Sequence, residues 1–305
     1  MKPSLRKIDM HVHVLPERDL PKLSGRYYVT PQELRLIYDR FGIEKGVLLC
    51  CGGSPECSTD RLSMREARKL TENFPNTIGW WFCAIDPRSG KNSGETDFTH
   101  FLHYYKMNGA RGVGEMTANL PLTDDRMMAL FSACEKERMP LTLHFGKPEK
   151  DMGVIDRLHL PQLEMVLKTF PEMQIIGHSA RFWSELGDDV TEETRSCFIC
   201  GKVLREGVVP GLLRKYKNLT CDLSSVSGYR AMIRDPEYTY GFLEEFQDRL
   251  YFATDISEKE HESNEMMQLS FFLDEAMRNE KISYVAYEKI CRSNALRLLE
   301  KGLLS

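Results

Sequence analysis

The chain has little of what marks a membrane protein, a secreted disulfide scaffold or a nucleic-acid binder. No apolar run in its 305 residues approaches the ~18 needed to span a bilayer. Met1-Lys2-Pro3-Ser4-Leu5-Arg6-Lys7 runs straight into Ile8-Asp9-Met10-His11, with no apolar stretch of the secretory-signal kind. Nine scattered cysteines, an odd number, make no disulfide framework and read as reduced thiols. Cys197 and Cys200 form a lone C-x-x-C without a second pair or a thioredoxin-like strand beside it, so they read as inert thiols. Long basic runs are also missing, and 41 Lys and Arg against 45 Asp and Glu argue against binding held by phosphate contacts. Low-complexity tracts and linkers are absent, so one domain is expected over residues 1–305. The expectation is a soluble cytoplasmic protein that acts on a small molecule, has no nucleic-acid or membrane partner, and is compatible with a homo-oligomer.

What is present is alternation. Segments rich in strand formers lie at 8–14, 47–51, 78–85, 110–116, 141–145, 173–178, 219–223 and 250–255, each followed by a stretch of helical periodicity. Their spacing of roughly 30–45 residues suits a βα unit. Thr30-Pro31-Gln32-Glu33 is a capping box, with Leu34, Ile37, Tyr38 and Phe41 on one face and Gly42 as the stop. Thr123-Asp124-Asp125 opens a helix with Met127, Leu130, Phe131 and Cys134 inward, and Phe98, Phe101, Leu102 and Tyr105 mark another. The Trp80-Trp81 pair, inside a strand, predicts one ring in the core and one under a helix. Residues 181–210 form a longer connection after the sixth strand, and the chain reads as helical from 263, ending in a helix over 286–299. An α/β fold, a single (β/α)8 TIM-type barrel with C-terminal helices, accounts for this most economically. An open doubly wound sheet lacks its Gly-rich turn, because His13-Val14-Leu15-Pro16 follows the first strand.

The histidines are unevenly placed. His11 and His13 are two apart in a strand and share a face, while His144 and His178 end the fifth and sixth strands. Glu115 falls near the end of the fourth strand and Asp255 ends the eighth. These are the ends where barrel sites are built. Imidazoles and carboxylates without thiolates suit a catalytic Zn²⁺, Mn²⁺ or Fe²⁺ with an open position. His100, His103, His159 and His261 fall in helices or loops and read as surface residues. By the same strand period Asp9 and Arg111 should face the barrel interior and form a buried ion pair beneath the metal.

Ile-Asp-Met-His-Val-His at 8–13 resembles the opening strand of the amidohydrolase superfamily, in the amidohydrolase-related (amidohydrolase 2) branch. That branch includes aminocarboxymuconate-semialdehyde decarboxylase and pyrone-dicarboxylate lactonase. The resemblance extends through Leu143-His144-Phe145-Gly146, Ile176-Gly177-His178-Ser179, Phe252-Ala253-Thr254-Asp255 and the tail Asn294-Ala295-Leu296-Arg297-Leu298-Leu299. It implies that His11, His13, His144 and Asp255 bind a divalent metal, and that His178 is a ligand or a donor to the bound water. Gly112-Val113-Gly114-Glu115 resembles the TatD-type pattern in which the glutamate helps hold a second ion, so one and two ions both stay open.

The implied activity is metal-dependent hydrolysis of a C–N or C–O bond in an amide, lactone or ester. Asp255 serves as general base and acid, and His178 polarises the substrate. Decarboxylation at the same site is the alternative. A phosphoesterase opening on a similar Asp-x-His-x-His strand, or a non-catalytic metal-binding protein, are further readings. An anionic substrate calls for a basic anchor, for which Arg181 is the candidate, in a loop set with Arg26, Tyr27, Arg88 and Trp183.

Overall fold

The computed structural model describes residues 5–19, 21–22, 24–50, 62–148 and 152–300. Met1–Ser4, and Cys51 at the end of the second expected strand, lie outside them. Eight strands follow in order, β1 Lys7–Val12, β2 Ile43–Leu49, β3 Ile78–Cys83, β4 Ala110–Met116, β5 Leu141–His144, β6 Ile175–His178, β7 Leu219–Asp222 and β8 Leu250–Tyr251. All pair in parallel with their sequence neighbours. The Met10 N–H bonds Phe252 O (3.1 Å), the Asp255 N–H bonds His11 O (2.8 Å) and the His13 N–H bonds Ile256 O (2.8 Å), bringing β1 against the last strand. This is the expected (β/α)8 barrel.

Helices α1 Pro31–Phe41, α2 Met64–Asn73, α3 Thr99–Met107, α4 Asp125–Glu137 and α5 Pro161–Thr169 fill the first five crossovers. The longer connection after β6 carries α6 Ala180–Trp183 and α7 Val208–Lys215. After β7 come α8 Ser225–Ile233 and α9 Pro236–Glu245, and after β8 come α10 Gln268–Arg278, α11 Tyr284–Glu288 and α12 Asn294–Glu300. The Thr30–Glu33 capping box forms and Gly42 closes α1 at φ 67°. The expected 286–299 helix is broken by a π turn at Lys289–Ser293, whose Ile290 carbonyl accepts from the Phe252 N–H (2.8 Å). Phe101, expected inward, is exposed, because Phe98 and Leu102 already fill the inward side of α3. Trp81 packs edge-on against Tyr105, whereas Trp80 packs with Phe82 and carries Lys45 over its ring.

The core has two parts. Ile8, Met10, Val47, Leu49, Phe82, Ile176, Tyr251 and Ala253 form a small cluster inside the barrel, against which α12 packs Ala295 and Leu299. A larger cluster lies between strands and helices and includes Val12, Leu48, Trp81 and Cys83. Ile8 and Met10 thus face inward while Val12 faces outward, and Asp9 lies between them.

A bulge explains how His11 still reaches the site. Asp9 pairs with Gly46 and Val12 with Leu48, so three steps along β1 match two along β2. The extra residue resets the alternation, and Asp9 and His11 no longer share a face. Asp9 does not pair with Arg111. Its Oδ1 accepts the N–H groups of His11 (3.1 Å) and Thr254 (2.8 Å), and its Oδ2 accepts the hydroxyls of Tyr38 (2.8 Å) and Thr254 (2.6 Å). Arg111 is half-buried with its Nε unpartnered. The Tyr38 hydroxyl passes over Gly46, where a Cβ would sit 2.3 Å from the oxygen, so only glycine fits.

Replacing Asp9 by alanine strands these donors and should cost at least about 3 kcal/mol, read as a fall in the unfolding midpoint. Asp9→Asn should stay within about 1 kcal/mol, because its Oδ1 can accept both N–H groups while its Nδ2 donates to both hydroxyls. Burial raises the Asp9 carboxyl to about 6. The folded state therefore holds this proton more tightly than the unfolded chain, and stability is lost as pH climbs from ~4 through ~6. The asparagine variant should lack that slope in pH-resolved denaturation.

Candidate active site

Strand ends bring five of the groups together. His11 lies within the bulge of β1 and His13 just past its end, His144 and His178 end β5 and β6 and are register partners, and Glu115 stands one residue before the end of β4. Asp255 differs from expectation. β8 stops at Tyr251, and Asp255 sits in the turn beyond it at φ 64°, held by its N–H bond to His11 O and by the Asp9 bonds to Thr254. Asp9 therefore braces both segments that carry the site.

The arrangement of protons follows from the acceptors. His13 Nδ1 faces the Leu49 carbonyl (3.0 Å), which can only accept, so Nδ1 carries the hydrogen. His11 Nδ1 faces Asp222 Oδ2 (2.9 Å) and His178 Nδ1 faces Asp222 Oδ1 (2.9 Å), with Ser224 Oγ donating to the same Oδ1 (2.7 Å). The Nε2 atoms of His11 and His13 then meet at 3.1 Å. Asp255 Oδ1 lies 3.7 and 3.4 Å from them, and Glu115 Oε2 lies 3.8 and 3.5 Å from them. Tetrahedral ligands at ~2.1 Å from a zinc ion stand ~3.4 Å apart, so this donor set fits a cation at its centre. Glu115 Oε1 turns the other way, 2.6 Å from His144 Nδ1 and 3.3 Å from His178 Nε2. Ligand atoms of Glu115, His144 and His178 also lie close enough to share an ion.

The electrostatics agree with that geometry. Burial opposes a charge on His11, yet its hydrogen bond to Asp222 and the nearby Glu115 carboxylate overcome it and raise His11 to about 10. Burial likewise opposes ionisation of Asp255, but contact with His13 and the charges of His11 and His178 hold it down at about 2. Asp222 and Glu115 are also held well below the usual carboxylate range against their burial, by His178 and His144 respectively.

Asp222 is the residue that sequence reading missed. It ends β7 as Asp255 was expected to end β8, and inspecting every strand end for a carboxylate would have found it. Trp183 donates its indole N–H to the Asp222 carbonyl (3.0 Å). Arg181 is placed elsewhere, buried in α6 and paired with Glu192 and with Ser196 Oγ (3.2 Å). The cavity at the site, about 330 Å³, is lined by His13, Glu115, His144 and Asp255 together with Lys22, Tyr28, Cys50, Thr117, Met152 and Ser257. Arg26 and Arg88 pair with Glu258 and Asp86. His261, expected to be solvated, is largely buried and accepts the Ser257 N–H (3.3 Å). Cys197 and Cys200 are exposed free thiols. No helix among the described residues is long and apolar enough to cross a membrane.

The chain has a parallel eight-stranded barrel with histidines and carboxylates gathered at the C-terminal ends of its strands. The structure is similar to that of an amidohydrolase from Burkholderia multivorans with bound zinc, at 12% identity over 97% of this chain and 99% of that one, TM-score 0.64. It is also similar to 5-carboxyvanillate decarboxylase from Sphingomonas paucimobilis, at 14% identity, the same coverages and TM-score 0.58. A third is 2,6-dihydroxybenzoate decarboxylase from Rhizobium, again at 14% identity over 97% and 99%, TM-score 0.56. No family model matches the chain, and no curated protein is similar to it in sequence. The similarity in fold agrees with the resemblance read from residues 8–13.

Two outcomes follow for cation binding. Asp222→Asn leaves one histidine facing an amide N–H, and should weaken zinc affinity about 10–100-fold in a competition titration with a chelator dye. The raised His11 value stabilises the metal-free protein fully below the unfolded value near 6.5, and this is lost as pH rises through about 10. Metal uptake displaces that proton, so apparent affinity should rise about tenfold per pH unit between pH 7 and 9. A flat profile would contradict the assignment.

Proposed function

We propose that the protein is a metal-dependent hydrolase that cleaves a C–N or C–O bond of a small anionic amide, lactone or ester. One observation carries this reading: the Nε2 atoms of His11 and His13 face each other at 3.1 Å while both Nδ1 hydrogens are committed to acceptors. Two lone pairs so placed call for a cation between them. His11, His13, Asp255 and Glu115 would hold it, and Glu115 with His144 and His178 would hold a second if two bind. Zinc suits this nitrogen and oxygen set best, with Mn²⁺ and Fe²⁺ compatible. Such an ion lowers the pKa of its water toward ~7 and polarises a carbonyl oxygen.

The side chains divide the remaining work. Asp255 is the one of the four with appreciable access to the cavity, its side chain 24% exposed. Ionised at neutral pH, it takes a proton from the attacking water and returns it to the leaving amine or alcohol. His178, its Nδ1–H fixed on Asp222, presents Nε2 as a ligand or, protonated, as a donor to the oxyanion. Thr117, Tyr28 and Met152 line the cavity and would shape the substrate's fit.

Decarboxylation is the second reading, favoured by the two similar barrels that carry out that reaction over nearly the full length. Elemental analysis should find one to two equivalents of a divalent transition metal in the purified protein, and His11→Ala should lose most of it. The loaded enzyme should hydrolyse members of a lactone and amide panel and lose that activity with the metal. Release of CO2 from aromatic carboxylates without hydrolysis would reassign it as a decarboxylase. Phosphate release from an aryl phosphate would make it a phosphoesterase, and silence on every panel at full loading a metal-binding protein.

A further inference from the structure

Lys22 is the only lysine or arginine among the described residues lining the cavity. It sits on a tight turn in which the Gly25 N–H bonds the Lys22 carbonyl (2.8 Å) and the Lys22 N–H bonds the Arg26 carbonyl (2.8 Å). The turn leads into a segment docked on residues 257–258, where the Val29 N–H bonds Ser257 O (3.0 Å) and Tyr28 forms a bridge with Glu258. Those residues lie two and three positions after Asp255. The segment that follows Lys22 is thus docked on the one that follows Asp255.

The ammonium is oriented but not neutralised. Lys22 Nζ donates to Ser257 Oγ (2.9 Å) and Glu258 Oε1 (3.1 Å) and lies 4.0 Å from the centroid of the Tyr28 ring. Glu258 is shared, because its Oε2 accepts from Arg26 Nη1 (3.2 Å). Two cations on one carboxylate leave the group with a net charge of +1. His261, 3.8 Å from Glu258, adds none at neutral pH, since burial lowers it from its ordinary value. Of the three ammonium hydrogens, one remains for a ligand. Lys22 lines the same cavity of about 330 Å³ as His13, Glu115, His144 and Asp255, so one ligand can meet both the cluster and the ammonium.

We propose that Lys22 is a specificity-determining residue that holds a carboxylate of the substrate remote from the reacting group. The substrate class is then a small molecule with two polar ends, one at the His11–His13–Asp255 cluster and an anionic one on Lys22. This rests on the reading of that cluster as a metal centre.

Binding of a dicarboxylate series from malonate to isophthalate, with butyrate and benzoate as monocarboxylate references, tests it by calorimetry on the zinc-loaded protein. The best dicarboxylate should bind at least about tenfold tighter than its monocarboxylate counterpart, the scale of one charge-assisted hydrogen bond. Lys22→Met keeps the apolar stem on Tyr28 and should bring that ratio near one, with monocarboxylate affinity within about twofold of wild type and metal content unchanged. Lys22→Arg should keep part of the preference. Glu258→Gln removes the shared negative charge and should increase it, a change opposite in sign to that of a merely damaged fold. A wild-type protein without the preference, or a metal-loaded Lys22→Met variant that retains it, overturns the inference. Should the protein take up no zinc yet show a preference that depends on Lys22, the anchor stands and the metal-centre reading fails.

Discussion

The site depends on one carboxylate that lies outside the cavity. Asp222 holds the Nδ1 hydrogens of His11 and His178 on its two oxygens, at 2.9 Å each. Each ring therefore keeps a hydrogen on Nδ1 and a fixed rotation, and each Nε2 points away from Asp222 toward the rest of the cluster. The Ser224 hydroxyl on Oδ1 keeps the carboxylate from rotating to favour one ring over the other. A metal ligand's basicity and direction are set by what its second nitrogen touches. Here one anion sets both for two histidines drawn from strands far apart in the chain.

A second brace works at the backbone. By bonding both the His11 and Thr254 N–H groups, Asp9 ties the bulge in β1 to the turn that carries Asp255. A regular β1 would have put Asp9 and His11 on one face and His11 out of phase with the cavity. The bulge gives up a ladder position, and Asp9 accepts the hydrogen bonds the ladder would have made. Tyr38 crosses Gly46 to complete it, so a glycine in β2 and a helix residue in α1 both serve the geometry of two ligands.

This accounts for what could be read in advance. Strand alternation, capping boxes and histidines at strand ends are local patterns, and the barrel, the long connection after β6 and the convergence of the histidines, Glu115 and Asp255 follow from them. The bulge is not a local pattern. Nothing in Lys7–Val12 marks an extra residue, and the strict period of two therefore placed Asp9 in the barrel interior with Arg111. Proximity in sequence likewise did not settle which basic side chain faces the cavity. Arg181 is near His178 in sequence, but α6 turns it into the connection toward Glu192, while Lys22 is brought in by a loop that docks on residues more than two hundred positions away. Asp222 needed no tertiary information, only the same question asked of β7 as of the other strands.

Charge decides what the cluster is for. Glu115, Asp222 and Asp255 are gathered in the mouth of the barrel, and among the described residues their ion-pair partners are histidines alone. Carboxylates taken out of water and left unpaired cost several kcal/mol each. Among the described residues, the counter-charge these carboxylates meet in direct contact is imidazole, and Asp222 with Glu115 raises His11 to about 10 against its burial. A structural polar core would have been served by an arginine, which stays charged at any pH and forks to two carboxylates. Histidines instead give up the proton to a competing cation and keep their hydrogen bonds to Asp222 and Leu49. The charge of this site is therefore one that a bound cation could take over, whereas that of an arginine–carboxylate pair is fixed.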